Sequence, residues 1–209
     1  MCLFVLSIVI IILGKSVSRL PAEACSLLLE TGFGNVTALL EELGVQTKAL
    51  FLPSSLTNRQ PRAFIPLDNS VPQPDISRAL PRRLITRYGT SPEEIGILVP
   101  TIGSAATAIL KKKPEARFNE LELALTSLFT ERLGLAGGAK VSSGADKHIG
   151  VEIIKPRLEN GVIRYHQCLG SPMATIIASV TAEAWDAPVT INREEQDKGR
   201  HYVELELVQ

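Results

Sequence analysis

What the chain lacks narrows the reading first. Three cysteines (Cys2, Cys25, Cys168) are too few and too scattered for a disulfide framework, so a reducing compartment is the simpler setting. Formal net charge is zero, which removes any global field that would gather nucleic acid. No Cys-x-x-Cys, Gly-x-Ser-x-Gly or His-Glu-x-x-His occurs, and no carboxylate dyad has an obvious catalytic spacing. Glu93-Glu94 and Glu194-Glu195 fall in turn-like segments and read as solvated. Enzymatic chemistry therefore finds no positive support in the residues. What is present is a 209-residue chain with 45% apolar and 21% charged residues, the profile of a folded globular protein with a sizeable core.

The N-terminus speaks about location. Met1 to Gly14 is apolar apart from Ser7, and Lys15 and Arg19 follow it. As a helix this run covers roughly 20 Å of a hydrocarbon core of roughly 30 Å, and Lys15 to Leu20 extend it toward a span. A cleaved signal is the rival reading, with Ala22-Glu23-Ala24 as the cleavage site. No basic residue precedes the run, however, and the bases that follow it place the remaining chain in the cytoplasm. The run also fits the second half of a transmembrane hairpin. Residues 1–20 are read as a membrane anchor, with membrane lipid as the partner.

Along the rest of the chain, two short helices are expected over 22–30 and 36–43, the second capped by Asn35 and stopped by Gly44. Val45–Leu52 and Ala63–Leu67 read as a hairpin whose ends Pro53 and Pro66 demote to sheet edges. Asp68–Pro81 reads as a connector outside the core. Arg78, Arg82, Arg83 and Arg87 form either an anion-facing patch or a solvated strand edge. Leu84 and Ile85 favour the edge, and without an aromatic platform no nucleic acid is expected.

Ile95–Val99 is a strand covered on both faces, and a short helix follows Gly103-Ser104. Asn119 caps an amphipathic helix carrying Leu121, Leu125, Leu128, Phe129 and Leu133 on one stripe, with Gly134 at its stop. Ile149–Ile154 and Val162–Gln167 flank the turn dipeptide Asn160-Gly161 as a hairpin. A helix runs from Met173 through Ala184, and Val189–Arg193 with His201–Val208 closes the chain as a hairpin.

Sliding the chain against itself aligns 37–45 with 127–135, and 102–109 with 169–176. Both copies then read helix, Leu-Gly stop, hairpin, apolar strand, Gly-Ser turn, helix. If the chain is duplicated, the two Gly-Ser turns are related by a pseudo-two-fold axis.

Those turns are the candidate ligand sites: Gly103 and Ser104, Gly170 and Ser171, with His166 and Cys168 beside the second. A Gly-Ser turn opening a helix exposes N–H groups that can cradle an anion, yet neither turn is completed by the lysine of a phosphate loop. The favoured reading makes Ser104 and Ser171 helix N-caps. On a strand, His166-x-Cys168 puts two soft ligands on one face, but a metal site needs two more, from His148, His201 or carboxylates. A buried structural cysteine and a surface histidine are the simpler assignment, so no metal, cofactor or catalytic residue is expected.

The order Phe51-Leu52-Pro53-Ser54-Ser55, Ala63-Phe64-Ile65-Pro66-Leu67, Gly96-Ile97-Leu98-Val99-Pro100, Cys168-Leu169-Gly170-Ser171-Pro172 and Ala187-Pro188-Val189-Thr190-Ile191 resembles an uncharacterised family of archaeal membrane-anchored proteins. The likeness implies an N-terminal transmembrane region before the domain and no activity. Residues 119 to 208 also resemble the 4-vinyl-reductase-type small-molecule-binding domain, which implies a ligand pocket. That domain often carries further cysteines in its final hairpin, and Glu194 to Val208 has none. The expectation is an α+β fold with a mixed or antiparallel sheet and two halves, 21–114 and 115–209. Its function is binding or scaffolding at a membrane, with a small-molecule sensor or enzyme using His166 and Cys168 as the alternative. A homodimer through an edge strand such as His201–Val208 fits either.

Overall fold

The structure is a computed structural model. It describes residues 32, 34–68, 74–110, 112–144, 147–158, 164–197 and 199–208, the side chains of 164–166 excepted. Two compact units divide the chain, Met1–Leu39 and Leu40–Gln209. The apolar run 1–20 and the helix expected over 22–30 lie outside the described residues. Among the described residues no helix is long and apolar enough to cross a membrane. Helix α1 covers residues 34–42 and ends before Gly44, whose φ of 63° supplies the left-handed stop. Asn35 is already helical and therefore is not the cap that its side chain suggests.

The second unit is built on one antiparallel sheet of eight strands: β1 (Leu50–Leu52), β2 (Arg62–Pro66), β3 (Ile85–Arg87), β4 (Ile95–Val99), β5 (Gly138–Ser143), β6 (His148–Ile154), β7 (Val189–Asp197) and β8 (Arg200–Leu207). Their spatial order is β3-β4-β2-β1-β7-β8-β6-β5. The helices of this unit are α2 (Ser54–Thr57), α3 (Ile102–Ile109), α4 (Phe118–Ser127), α5 (Arg164–Leu169) and α6 (Pro172–Trp185). A π-helical turn, Leu128–Arg132, prolongs α4. The α+β class holds, with every strand pairing antiparallel.

Cross-strand register puts Leu50, Phe64 and Leu98 in one row on one sheet face. They are covered by Ile76 and Leu80, so the Pro-rich connector does contribute to the core. Without helical or strand periodicity, two isolated apolar residues gave no sign of that role. Helix α6 packs against β1, β7 and β8 on one side and against α3 and α4 on the other. Every residue from Met173 to Ala184 is consequently buried, although the spacing of its large side chains alone predicts a single apolar stripe. Leu121, Leu125, Leu128 and Phe129 are buried as the stripe on α4 predicts, and Gly134 (φ 64°) stops that helix. Its N-cap is Arg117 rather than Asn119, with no side-chain cap.

Three further expectations are corrected. Residues 164–169 form helix α5, not a strand, and β6 pairs instead with β5 and β8. Arg, Gln and Leu in that stretch are good helix formers, and Gly170 (φ 77°) stops the helix in the left-handed region. Pro53 and Pro66 do not mark edges. Pro53 caps α2 and Pro66 is the last residue of β2, so β1 and β2 stay central. Strand β8 lies between β7 and β6, which removes it as a dimerisation edge; the edges are β3 and β5. The solvated edge expected among the arginines is β3, with Leu84 and Ile85 exposed.

The strand order of the first quartet, 3-4-2-1, recurs in the second as 7-8-6-5. The residue alignment drawn from the sequence does not follow that recurrence. Gly103 and Ser104 open a helix after β4, whereas Gly170 and Ser171 follow α5 and precede β7.

Helices α3 and α6 meet where Gly103 lies against Thr175 and Ser179. A Cβ there would overlap the Ser179 hydroxyl and the Thr175 carbonyl oxygen, which belongs to backbone and cannot rotate away. Gly103→Ala should therefore destabilise the protein by about 1–3 kcal/mol despite the better helix propensity of alanine, read as a lower urea midpoint with an unchanged slope.

Candidate functional site

Buried on all sides, α6 must have its polar ends satisfied within the protein. At its start Ser171 is the N-cap, as its sequence position predicts, and Oγ accepts from the Ala174 N–H at 3.2 Å. Pro172 follows at the first helical position, where no N–H is needed. The Ser171 N–H donates to Glu194 Oε2 at 3.0 Å. The anion at this helix N-terminus is thus a carboxylate of the chain itself.

Glu194 reaches that position because of a bulge. Ile191 pairs with Leu205 and Arg193 with Glu204, leaving Asn192 as the extra residue. Without it Glu194 would alternate to the solvent side; with it Glu194 follows Ile191 onto the buried face. This corrects its reading as a solvated turn residue. Its other oxygen, Oε1, lies 2.6 Å from Nε2 of His201, a fully buried side chain on β8. A carboxylate only accepts, so Nε2 carries the proton. His201 Nδ1 is buried with no hydrogen-bond partner among the described residues. Burial by itself would raise the Glu194 pKa. Hydrogen bonds from His201 and from the Ser171 hydroxyl and N–H, with the charge of His201, outweigh it and hold the carboxyl below the usual glutamate range.

The other sequence candidates scatter. Cys168 is a buried thiol whose neighbours Gly170, Lys48, Asn192 and Glu194 share with it a cleft of about 100 Å³. Lys48 Nζ donates to the carbonyl of the bulged Asn192 at 2.7 Å and closes one side. His166 lies two residues before Cys168 on a helix, where positions i and i+2 do not face each other, so the shared strand face is lost. Ser104 is not the N-cap of α3. Thr101 is, and Ser104 completes a capping box: its Oγ accepts from the Thr101 N–H at 2.9 Å, and its N–H donates to Thr101 Oγ1 at 3.3 Å. Gly103 packs against Thr175 and Ser179, four and eight positions beyond Ser171 and thus about 6–12 Å along α6. The two Gly-Ser turns do not meet. His148 pairs with Glu204 at 3.1 Å, and among the described residues no group of three metal-ligating side chains converges.

A roomier cleft lies beside the far end of α6, unannounced by any motif. Glu183 is buried there, accepting from the Ser54 N–H at 2.5 Å and from Ser54 Oγ at 3.1 Å. Lys113 Nζ stands 3.8 Å from its Oε2 and 3.5 Å from Asp186 Oδ1. Ser54, Arg59, Thr107, Lys113 and Glu183 line a cavity of about 240 Å³. Asn58 (φ 54°) and Arg59 (φ 123°) hold the rim in a left-handed conformation that non-glycine residues rarely adopt. One sequence signal points here: a carboxylate in the last turn of an apolar helix opposes the dipole and needs a reason. Chemically the cleft offers an acceptor and a cation. The Ser54 hydroxyl donates to the carboxylate.

Because the folded-state pKa of Glu194 is depressed, its contribution to stability is complete above the unfolded-state value and is lost as pH falls through the folded one. The stability gap between the wild type and Glu194→Gln should therefore narrow steadily on acidification from neutrality to below the glutamate range. Urea midpoints for both proteins across that range read it, and a gap independent of pH would contradict the assignment. Ser171→Ala should cost about 0.5–2 kcal/mol at neutral pH by the same measurement, through loss of the cap.

No curated protein and no solved structure matches the chain. Residues 5–206, almost its whole length, match a single family. On that match the chain belongs to the family described as Domain of unknown function (DUF7982).

Proposed function

We propose that the chain is a membrane-tethered binding protein, not an enzyme, and that the cleft between Ser54, Thr107, Lys113 and Glu183 receives a small polar ligand. The observation that carries this reading is the chemistry of that cleft: a buried carboxylate, an ammonium and hydroxyls line one cavity. The faint likeness of residues 119–208 to a small-molecule-binding domain points the same way. The tether rests on the apolar run Met1 to Gly14, followed by Lys15 and Arg19. The same reading treats the two halves as a duplicated unit, supported by the recurring strand order. It leaves self-association to the edge strands β3 and β5.

The alternative, a sensor or enzyme centred on His166 and Cys168, draws on the small cleft that Cys168 shares with Gly170 and Glu194. A thermal-shift screen of polar metabolites on the full chain separates the two. Hits that vanish in Glu183→Gln and Lys113→Gln but survive Cys168→Ala support the leading reading. The reverse pattern overturns it, as does turnover of any hit. In membrane fractionation, the full chain should pellet with membranes and a chain lacking residues 1–20 should not; a full chain in the soluble fraction defeats the tether.

A further inference from the structure

Three arginines from two chain segments line one cleft, and among the described residues no carboxylate pairs with them. Arg59 follows α2, Arg62 opens β2 and Arg82 ends the connector, and together with Thr57 and Asn58 they line a cleft of about 170 Å³. No carboxylate lines it. None of the three guanidinium groups forms an ion pair or a hydrogen bond with any described residue. The backbone that carries them is fastened. Thr57 Oγ1 reaches the carbonyls of Pro53 at 2.9 Å and Gln60 at 2.5 Å, Asn58 Nδ2 donates to the Leu80 carbonyl at 3.4 Å, and the Leu80 N–H donates to the Leu56 carbonyl at 2.8 Å. These bonds tie the α2 loop to the segment bearing Arg82. The left-handed conformations of Asn58 and Arg59 are part of the same arrangement.

We infer that this cleft binds a phosphate group, as a free phosphate or a phosphomonoester head group, between Arg59, Arg62 and Arg82. Guanidinium forks match phosphate oxygens in pairs, and a dianion answers several cations at once, as a monovalent carboxylate does not. Partial burial and then the nearby Arg82 lower the Arg62 pKa, and an anion beside it would favour the charged form. This inference goes beyond the ligand cleft beside Glu183: the two share Arg59, but Arg62 and Arg82 do not line that cavity, and the test below is read on those two.

The test is calorimetric titration of inorganic phosphate into the full chain in neutral detergent at low ionic strength, with acetate as the monovalent comparison. Saturable phosphate binding is expected, weaker by about tenfold or more in each of Arg62→Gln and Arg82→Gln and unchanged in Arg78→Gln. Arg82 is exposed, so its variant keeps the test intact even if Arg62→Gln folds poorly. Repeating the titration in phosphatidylcholine nanodiscs, with and without phosphatidic acid, distinguishes the sources. Suppression by phosphatidic acid identifies a lipid head group, and its absence a soluble phosphate. The inference is overturned if phosphate does not bind saturably, if binding survives both arginine variants, or if acetate binds as tightly.

Discussion

A helix surrounded on every side has nowhere to leave its unpaired backbone groups, and that constraint organises this domain around α6. Ser171 is buried at its start, and its hydroxyl and the Glu194 carboxylate take the place of solvent there. Glu194 in turn is oriented by His201, and it arrives at the helix because one extra residue in β7 reverses the facing of all that follow. At the other end Asp186 turns left-handed to stop the helix. Close by, Glu183 looks outward and fastens the start of α2. The packing of one apolar segment thus dictates the polar chemistry found at both of its ends.

The legible parts of the sequence were those where pattern and turn chemistry agree. The terminal hairpin alternates Val203, Leu205 and Leu207 with glutamates, and β4 is a continuous apolar run; both appear as expected. Gly44 and Gly134 stop helices, where only a left-handed residue closes the turn. Strand β5 escaped notice because Gly138, Ala139 and two serines carry little strand propensity; it is held by its pairing with β6. Residues 164–169 are too short a run for periodicity to choose between helix and strand. Of the site, Ser171 and Gly170 were visible because capping is a local matter. Glu194 and Ser54 were not, since a bulge and a contact across 129 residues leave no local trace, and Glu183 showed only as a carboxylate out of place in the last turn of an apolar helix.

Formal neutrality conceals how the charges are used. Among the described residues, four glutamates accept hydrogen bonds from backbone N–H groups: Glu94 from Ser91, Glu122 from Val141, Glu183 from Ser54 and Glu194 from Ser171. These carboxylates serve the fold as caps and strand clasps, work that needs an anion and gives a nearby arginine nothing. The chain balances 22 acidic against 22 basic residues, yet the balance is not local.

The sheet's centre joins the two ends of the domain. Strand β1 has the pairing of Leu50 with Thr190 as its link to the second quartet, so the four early strands meet the four late ones across roughly 140 residues of chain. During synthesis at about 5–20 residues per second, β1 waits roughly 7–30 s before β7 exists to cover it. A three-residue strand offers little open edge for a wrong partner in that interval. The brevity of β1, which looks like weakness at the middle of the sheet, keeps the growing chain from pairing too soon.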